Sequence, residues 1–307
     1  MTGGPLESNF SGQRTTPRAL GPFFWLAAHA PGVARVLRPV GVGLVSALSS
    51  GVRRGTRLNA RRIFGRELSA REQGAFTRGV VDGFYEFVLD VGRSCGETRE
   101  ELVSRIESVE GEREYKAART RGRGAVLVTA HMGSFEGGLG ARARVEGRIH
   151  VVFKRDASGP FEAMRAAMRR TLGVLEAPID DGPTTWIALR DALANIEVVV
   201  MQGDRAVPGQ RSEVVPFLHG HLRIPSGSVR LARMTGSPIV PVFTVRVGSG
   251  RFAVHLGTPI EPGEGVAGAG ADPAVRAIAR AIEAMVGKYP TQWLALHAAF
   301  EEDAPRD

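Results

Sequence analysis

The chain has 307 residues, 43% of them hydrophobic and 23% charged, which excludes a disordered or fibrous protein and leaves a globular one with a sizeable core. Its one cysteine, Cys95, excludes an internal disulfide and fits a reducing compartment. The formal charge of +8 lies wholly in residues 1–72, where eleven Arg meet only Glu7, Glu67 and Glu72; the other 29 basic and 29 acidic residues cancel.

Such a basic arm suits an anionic lipid surface, a nucleic acid or an acidic protein. It holds two uncharged stretches, Ala19–Ala34 and Pro39–Val52, framed by Arg14 and Arg18, by Arg35 and Arg38, and by Arg53, Arg54 and Arg57. Each falls short of the roughly 18–20 apolar residues of a spanning helix, and Pro22 and Pro31 interrupt the first. Apolar segments edged by arginine are expected to lie in a membrane interface; a buried N-terminal hairpin is the alternative. No compact basic n-region or A-x-A site marks a signal peptide. No helix-turn-helix, zinc or RRM signature supports nucleic acid, so none is expected as a partner.

From Ser69 a helix is expected, capped by Ser69 with Glu72 three residues on, and with Phe76, Val80, Phe84 and Phe87 at helical spacing. A helix over Glu112–Thr120 leads into a strand, Ala125–Thr129, and Ser134–Ala143 is expected to be helical. Arg148–Lys154 forms a strand, Pro160–Leu172 and Pro183–Ala194 helices, and Glu197–Gln202 a strand running into Asp204. "SEVVPFLHG" gives a strand and turn. A helix is expected over Pro225–Met234, opened by its proline. "SPIVPVFTVRV" and "RFAVHLG" are neighbouring strands, Gly263–Ala271 is a surface loop, and Pro273–Val286 is a helix before "YPTQWLALH". Helix and strand alternate, and the strands lack period-two alternation. That predicts an α/β fold whose mostly parallel sheet is flanked by helices. Ligand sites in such sheets lie at the carboxyl ends of strands, where His131, Lys154, Arg155 and Asp204 fall.

His131 follows its strand directly and Glu136 comes five residues later. A carboxylate on one ring nitrogen fixes the tautomer and leaves the other nitrogen to take a proton. No G-x-S-x-G supplies a nucleophile, so the pair would act by deprotonating a substrate hydroxyl directly. A capped, hydrogen-bonded structural histidine is the competing reading.

"HMGSFEGG" resembles the H-x4-E/D box of the glycerolipid acyltransferase superfamily. "LNARRIFGRELSAREQGAFTRGVVDGFYEFVLD" is similar to the arginine-rich, Asn-containing segment of the bacterial lipid A biosynthesis (late) acyltransferases. "VVMQGDRAVPGQRSEVVPFLHGHLRIPSGSVRLARMTGSPIVPVFTVR" is similar to that family's central block, and "YPTQWLALHAAF" to its ending. The four lie in register over roughly residues 20–300. The sequence departs from the family where Ser134 and Phe135 replace Asn-Trp, and where His297, Ala298 and Ala299 replace His-Arg-Arg.

The resemblance implies a glycerolipid acyltransferase-like fold with a membrane-associating segment at 1–72 and an acyltransferase domain at 73–307. It implies O-acyl transfer at the cytoplasmic face of the bacterial inner membrane, from an acyl carrier protein or acyl-CoA donor to a membrane glycolipid or lipid A-like acceptor, on an anionic membrane surface and without a cofactor. His131 is then the general base and Glu136 its charge partner. Lys154 or Arg155 binds phosphate or the oxyanion, Asp204 is the strand-end acid, Arg205 binds phosphate or pairs with it, and Phe217 and Gly220 shape the pocket turn. An acyl-CoA-dependent lysophospholipid acyltransferase and an inactive membrane-associated homologue remain open as alternatives. His219 and His221 at strand spacing lack a third ligand motif, so no metal is expected. Arg119–Gly124 reads as a solvated helix end, a docking surface for acidic acyl carrier protein or an RNA patch. Arg169 and Arg170 are expected on a solvated helix face.

Overall fold

A computed structural model describes residues 21–94, 96–120, 122–135, 137–138, 146–155, 159–207, 209–263 and 271–303. Its helices are α1 (Gly21–His29), α2 (Pro31–Leu48), α3 (Ser50–Phe64), α4 (Ala70–Ser94), α5 (Arg99–Ser104), α6 (Glu112–Arg119), α7 (Gly159–Leu172), α8 (Pro183–Ala194), α9 (Gly227–Thr235) and α10 (Pro273–Lys288). Its strands are β1 (Ile106–Glu110), β2 (Ala125–Thr129), β3 (Ile149–Phe153), β4 (Leu175–Pro178), β5 (Val198–Gln202), β6 (Ser212–Phe217), β7 (Gly220–Pro225), β8 (Ile239–Gly248) and β9 (Arg251–Leu256).

Seven strands form one sheet in the order β1-β9-β8-β2-β5-β3-β4, parallel except for the β8–β9 pair. The central strand β2 is buried along its length. Its alternate residues serve two cores: Val126 and Val128 pack with α8, α9 and α10, while Ala125 and Leu127 pack with α1, α6 and α7. This two-sided burial is why the strands read as continuous apolar runs.

The Ser69 cap forms as expected: Glu72 N–H donates to Ser69 Oγ at 3.3 Å, and Glu72 Oε2 accepts from Ser69 N–H at 2.8 Å. Pro225 does not open a helix. It ends β7, paired with Ser212 at the end of the hairpin, where the missing N–H is tolerated, and α9 starts at Gly227. Of the segment expected to be helical at 134–143, Ser134, Phe135, Gly137 and Gly138 are turn residues, and the rest lies outside the described residues. So do Cys95, Arg121, Glu136 and most of the loop expected at 263–271.

Arg169 is not solvated. Its side chain is fully buried, bonded to Glu162 and to Glu176 (2.7 Å), and lies over the Phe153 ring at 4.3 Å. Arg170 is exposed. Arg119 and Arg123, expected at a solvated helix end, are tied down: Arg119 to Glu146 and the Ile196 carbonyl, Arg123 to the Thr235 carbonyl at 2.5 Å.

The two apolar N-terminal stretches fold differently from the way the prolines divide them. Pro22 and Pro31 stand in the first turns of α1 and α2, where a missing N–H costs nothing, and Pro39 lies inside α2. The 18 residues of α2 make it long and apolar enough to cross a membrane by length and composition. One side of it is fastened to α4, where Arg38 bonds Asp82 (2.6 and 2.7 Å) and Glu86 (2.5 Å). The other side shows Val33, Val36, Leu37, Val40, Leu44 and Leu48 to solvent as one stripe.

Candidate active site

β2 and β5 are adjacent and parallel, with Thr129 opposite Gln202. His131 and Asp204 each lie two residues beyond that pair, so the register itself sets them side by side. Gly203 supports the approach: its N–H donates to the Thr129 carbonyl at 2.7 Å, and a Cβ there would meet Val128. His131 Nδ1 bonds Asp204 Oδ1 at 2.8 Å, and Asp204 Oδ2 accepts from Trp293 Nε1–H at 2.9 Å.

The backbone around His131 is clamped by the closing segment. Leu294 N–H donates to the His131 carbonyl at 2.8 Å, Gly133 N–H to the Gln292 carbonyl at 2.9 Å, and Met132 bridges Trp293. Gly133 takes a left-handed φ of 54° against the Thr244 carbonyl, leaving no room for a side chain. The closing segment is in turn held by buried Asn59 of α3, which donates to the carbonyls of Ala295 (2.9 Å) and His297 (2.8 Å) and accepts from Ala299 N–H (3.0 Å). Asn59 is the asparagine of the "LNARR" segment, and it ties α3 to the strand-end site.

Burial would raise the Asp204 carboxyl, but the charges of His131 and Arg205 and the bonds from His131 and Trp293 outweigh it and hold the group well below the usual carboxylate range. An ionised Asp204 accepts from Nδ1–H, so the lone pair of His131 sits on Nε2. Burial pushes the His131 imidazole below its ordinary 6.5; Asp204 opposes and the Arg205 charge adds to the lowering. His131 is therefore neutral at pH 7, with Nε2 free to accept a proton. Because the base works unprotonated, a reaction that uses it keeps its rate below pH 6.5 and loses it only as pH falls through the lowered value. A kcat/KM profile with its acid limb centred below pH 6.5 is expected; a limb above 6.5 would contradict the assignment.

The imidazole opens into a cleft of about 560 Å³ walled by Phe84, Phe87, Phe135, Phe153 and Phe161, with Lys154, Arg155, Arg165 and Arg205 among its polar lining. Phe135 meets the His131 ring edge-on at 5.4 Å, and Phe87 stacks on Phe135 at 4.8 Å. The two cations after β3 differ. Arg155 is engaged with Asp181 at 2.7 and 3.2 Å, whereas Lys154 has no ion pair among the described residues. Arg205 donates to the Leu294 carbonyl at 2.7 Å, its Nε 3.9 Å from Asp204, so it braces the acid.

The structure thus brings together His131, Asp204, Arg205, Lys154 and Arg155. Glu136, the expected partner of His131, lies outside the described residues; the carboxylate seen on the ring is Asp204. Phe217 and Gly220 do not line the cleft. Phe217 is buried behind Trp293 with Phe300, at ring distances of 5.9 and 5.8 Å, and Gly220 turns the β6–β7 hairpin against Phe300. His221 bonds Glu302 at 2.7 Å, and among the described residues no group of three or more His, Cys, Asp and Glu is placed to hold a metal. Trp293 and Gln292 were given no role from sequence, although both belong to the closing motif.

A family model described as bacterial lipid A biosynthesis acyltransferase matches residues 19–302. A comparison with curated protein sequences finds no match.

Proposed function

The chain belongs to the bacterial lipid A biosynthesis acyltransferase family, and from that premise we propose that it moves a fatty acyl chain from an acyl thioester to a hydroxyl of a glycolipid or lipid A-like acceptor. The acyl group is carried by acyl carrier protein in this reading. The observation that carries it is the Trp293–Asp204–His131 hydrogen-bond chain opening into a phenylalanine-walled cleft. His131 Nε2 takes the acceptor hydroxyl's proton as the oxygen bonds to the thioester carbonyl carbon. The tetrahedral intermediate collapses, the C–S bond breaks, and the leaving thiolate takes the proton back from His131. Asp204 stabilises the imidazolium between these steps. Lys154, which has no ion pair among the described residues, suits the oxyanion or a substrate phosphate. No covalent acyl-enzyme is required.

The exposed apolar stripe of α2 and the arginines at the start of α3 support attachment to an anionic membrane, at the cytoplasmic face of the bacterial inner membrane. The Arg38 bonds to α4 favour an interfacial helix over a spanning one.

The test is transfer of radiolabelled acyl groups to lipid extracts by purified enzyme in vesicles, with acyl carrier protein and CoA thioesters in competition. Label entering a membrane lipid, with the carrier-protein donor preferred, is expected. Preference for the CoA donor would favour the lysophospholipid reading, and no transfer from either would overturn both.

A further inference from the structure

Beside the His131 cleft lies a second chamber of about 560 Å³, walled by α8, α9 and the loop after β5. The two share Lys154, Ile179, Val207 and Gln210, so they are contiguous over the carboxyl ends of the strands. Their chemistry differs. The first is walled by phenylalanines; the second presents Lys154, Arg190, Arg211 and Arg230 around Trp186.

Three of the four cations in the second chamber, Lys154, Arg211 and Arg230, have no ion pair among the described residues, while Arg38, Arg62, Arg105, Arg169 and Arg246 are all paired. Arg190 bonds only its exposed neighbour Asp191. Asp180 is the one acid in the lining, and its Oδ2 accepts from Arg155 N–H. Convergent cations in a concave site with apolar walls focus a positive potential and select an anion.

The aromatic walls of the two chambers also belong to different layers. Phe87, Phe135 and Phe161 pack in the core that contains α1, where Phe24 stacks on Phe161 at 4.6 Å. Leu231 and Trp186 belong to the opposite core, away from α1 and α2. A lipid acceptor arriving along α1 and α2 meets the phenylalanine chamber. The walls peculiar to the basic chamber, α8 and α9, pack on the opposite face of the sheet from α1, so the charged, water-soluble end of a substrate fits it better than a lipid tail does.

We propose that the basic chamber binds the phosphate at the far end of the acyl donor's pantetheine arm, leaving the thioester at His131. This rests on the acyl-transfer reading above. Acyl carrier protein and CoA donors both carry that phosphorylated arm, whereas a sugar phosphate on the acceptor is the other source of the same chemistry.

Calorimetric titration of the full-length protein with 4′-phosphopantetheine, pantetheine and glucosamine 1-phosphate tests this. The phosphorylated arm is expected to bind about tenfold or more tightly than pantetheine, as a charged hydrogen bond predicts. Arg211→Ala/Arg230→Ala should erase that preference while melting like wild type, and Arg170→Ala, on an exposed site elsewhere, should keep it. Equal affinity for the two arms, or a preference that survives the double substitution, would overturn the proposal. So would tighter, arginine-dependent binding of glucosamine 1-phosphate, which would assign the chamber to the acceptor. These readouts need no turnover, so a failure of the acyl-transfer reading shows separately, in the transfer assay.

Discussion

His131→Ala is expected to fold like wild type and to turn over more slowly by a factor on the order of 10²–10⁴, the range of a lost general base. Folding should survive because, among the described residues, the side chain makes one hydrogen bond, to Asp204, and opens on the cleft. The loop is held through its backbone, by Leu294 N–H on the His131 carbonyl and Gly133 N–H on the Gln292 carbonyl. The carboxylate left behind keeps the Trp293 donor and the Arg205 charge. The cost to stability is about 1–3 kcal/mol, that of removing one partner from a buried polar group. Steady-state kinetics with a thermal melt check both halves. Near-wild-type turnover from a folded variant would remove the base from the mechanism.

Asp204→Asn should lower turnover by a similar factor, on the order of 10³, with little change in acceptor KM. The amide keeps the shape but can turn its NH2 toward His131 Nδ1. The ring proton then moves to Nε2, and the face toward the cleft becomes a donor instead of a base. Loss of the carboxylate charge also removes what opposes burial at His131, so any residual acid limb moves further down in pH. Trp293→Phe takes only one donor from Asp204 Oδ2 and leaves the His131 bond, so a loss nearer tenfold is expected. His131→Ala/Asp204→Asn should be no slower than the worse single variant, because the acid acts through the histidine. Multiplicative losses would mean that Asp204 acts on substrate by itself.

Much of this was legible in sequence because two-sided burial writes long apolar runs, and the inner strands between Ala125 and Leu256 announce themselves. The strand-end positions of His131 and Asp204 were legible for the same reason. Their pairing was not: it depends on the Thr129–Gln202 register between strands 73 residues apart, which nothing local encodes. The nearer Glu136 was the natural candidate by spacing alone. Edge strands also hid themselves. β1 reads Ile-Glu-Ser-Val-Glu and is largely exposed, and β4 is four residues ending in proline. Arg169 misled because charge on a helix usually means solvent, whereas here Glu162 and Glu176 neutralise it beneath β3 and β4. Phe217 looked like part of a pocket turn because the turn is adjacent in sequence, yet its ring points into the core behind Trp293.

Lipid mass spectrometry decides whether His131 is the base for acylation of a membrane lipid. Cells lacking the protein are complemented with wild type or His131→Ala at equal expression. One lipid is expected to gain the mass of a single acyl chain with wild type only, and that mass names both acceptor and chain. Identical lipid profiles from the two strains would contradict that role.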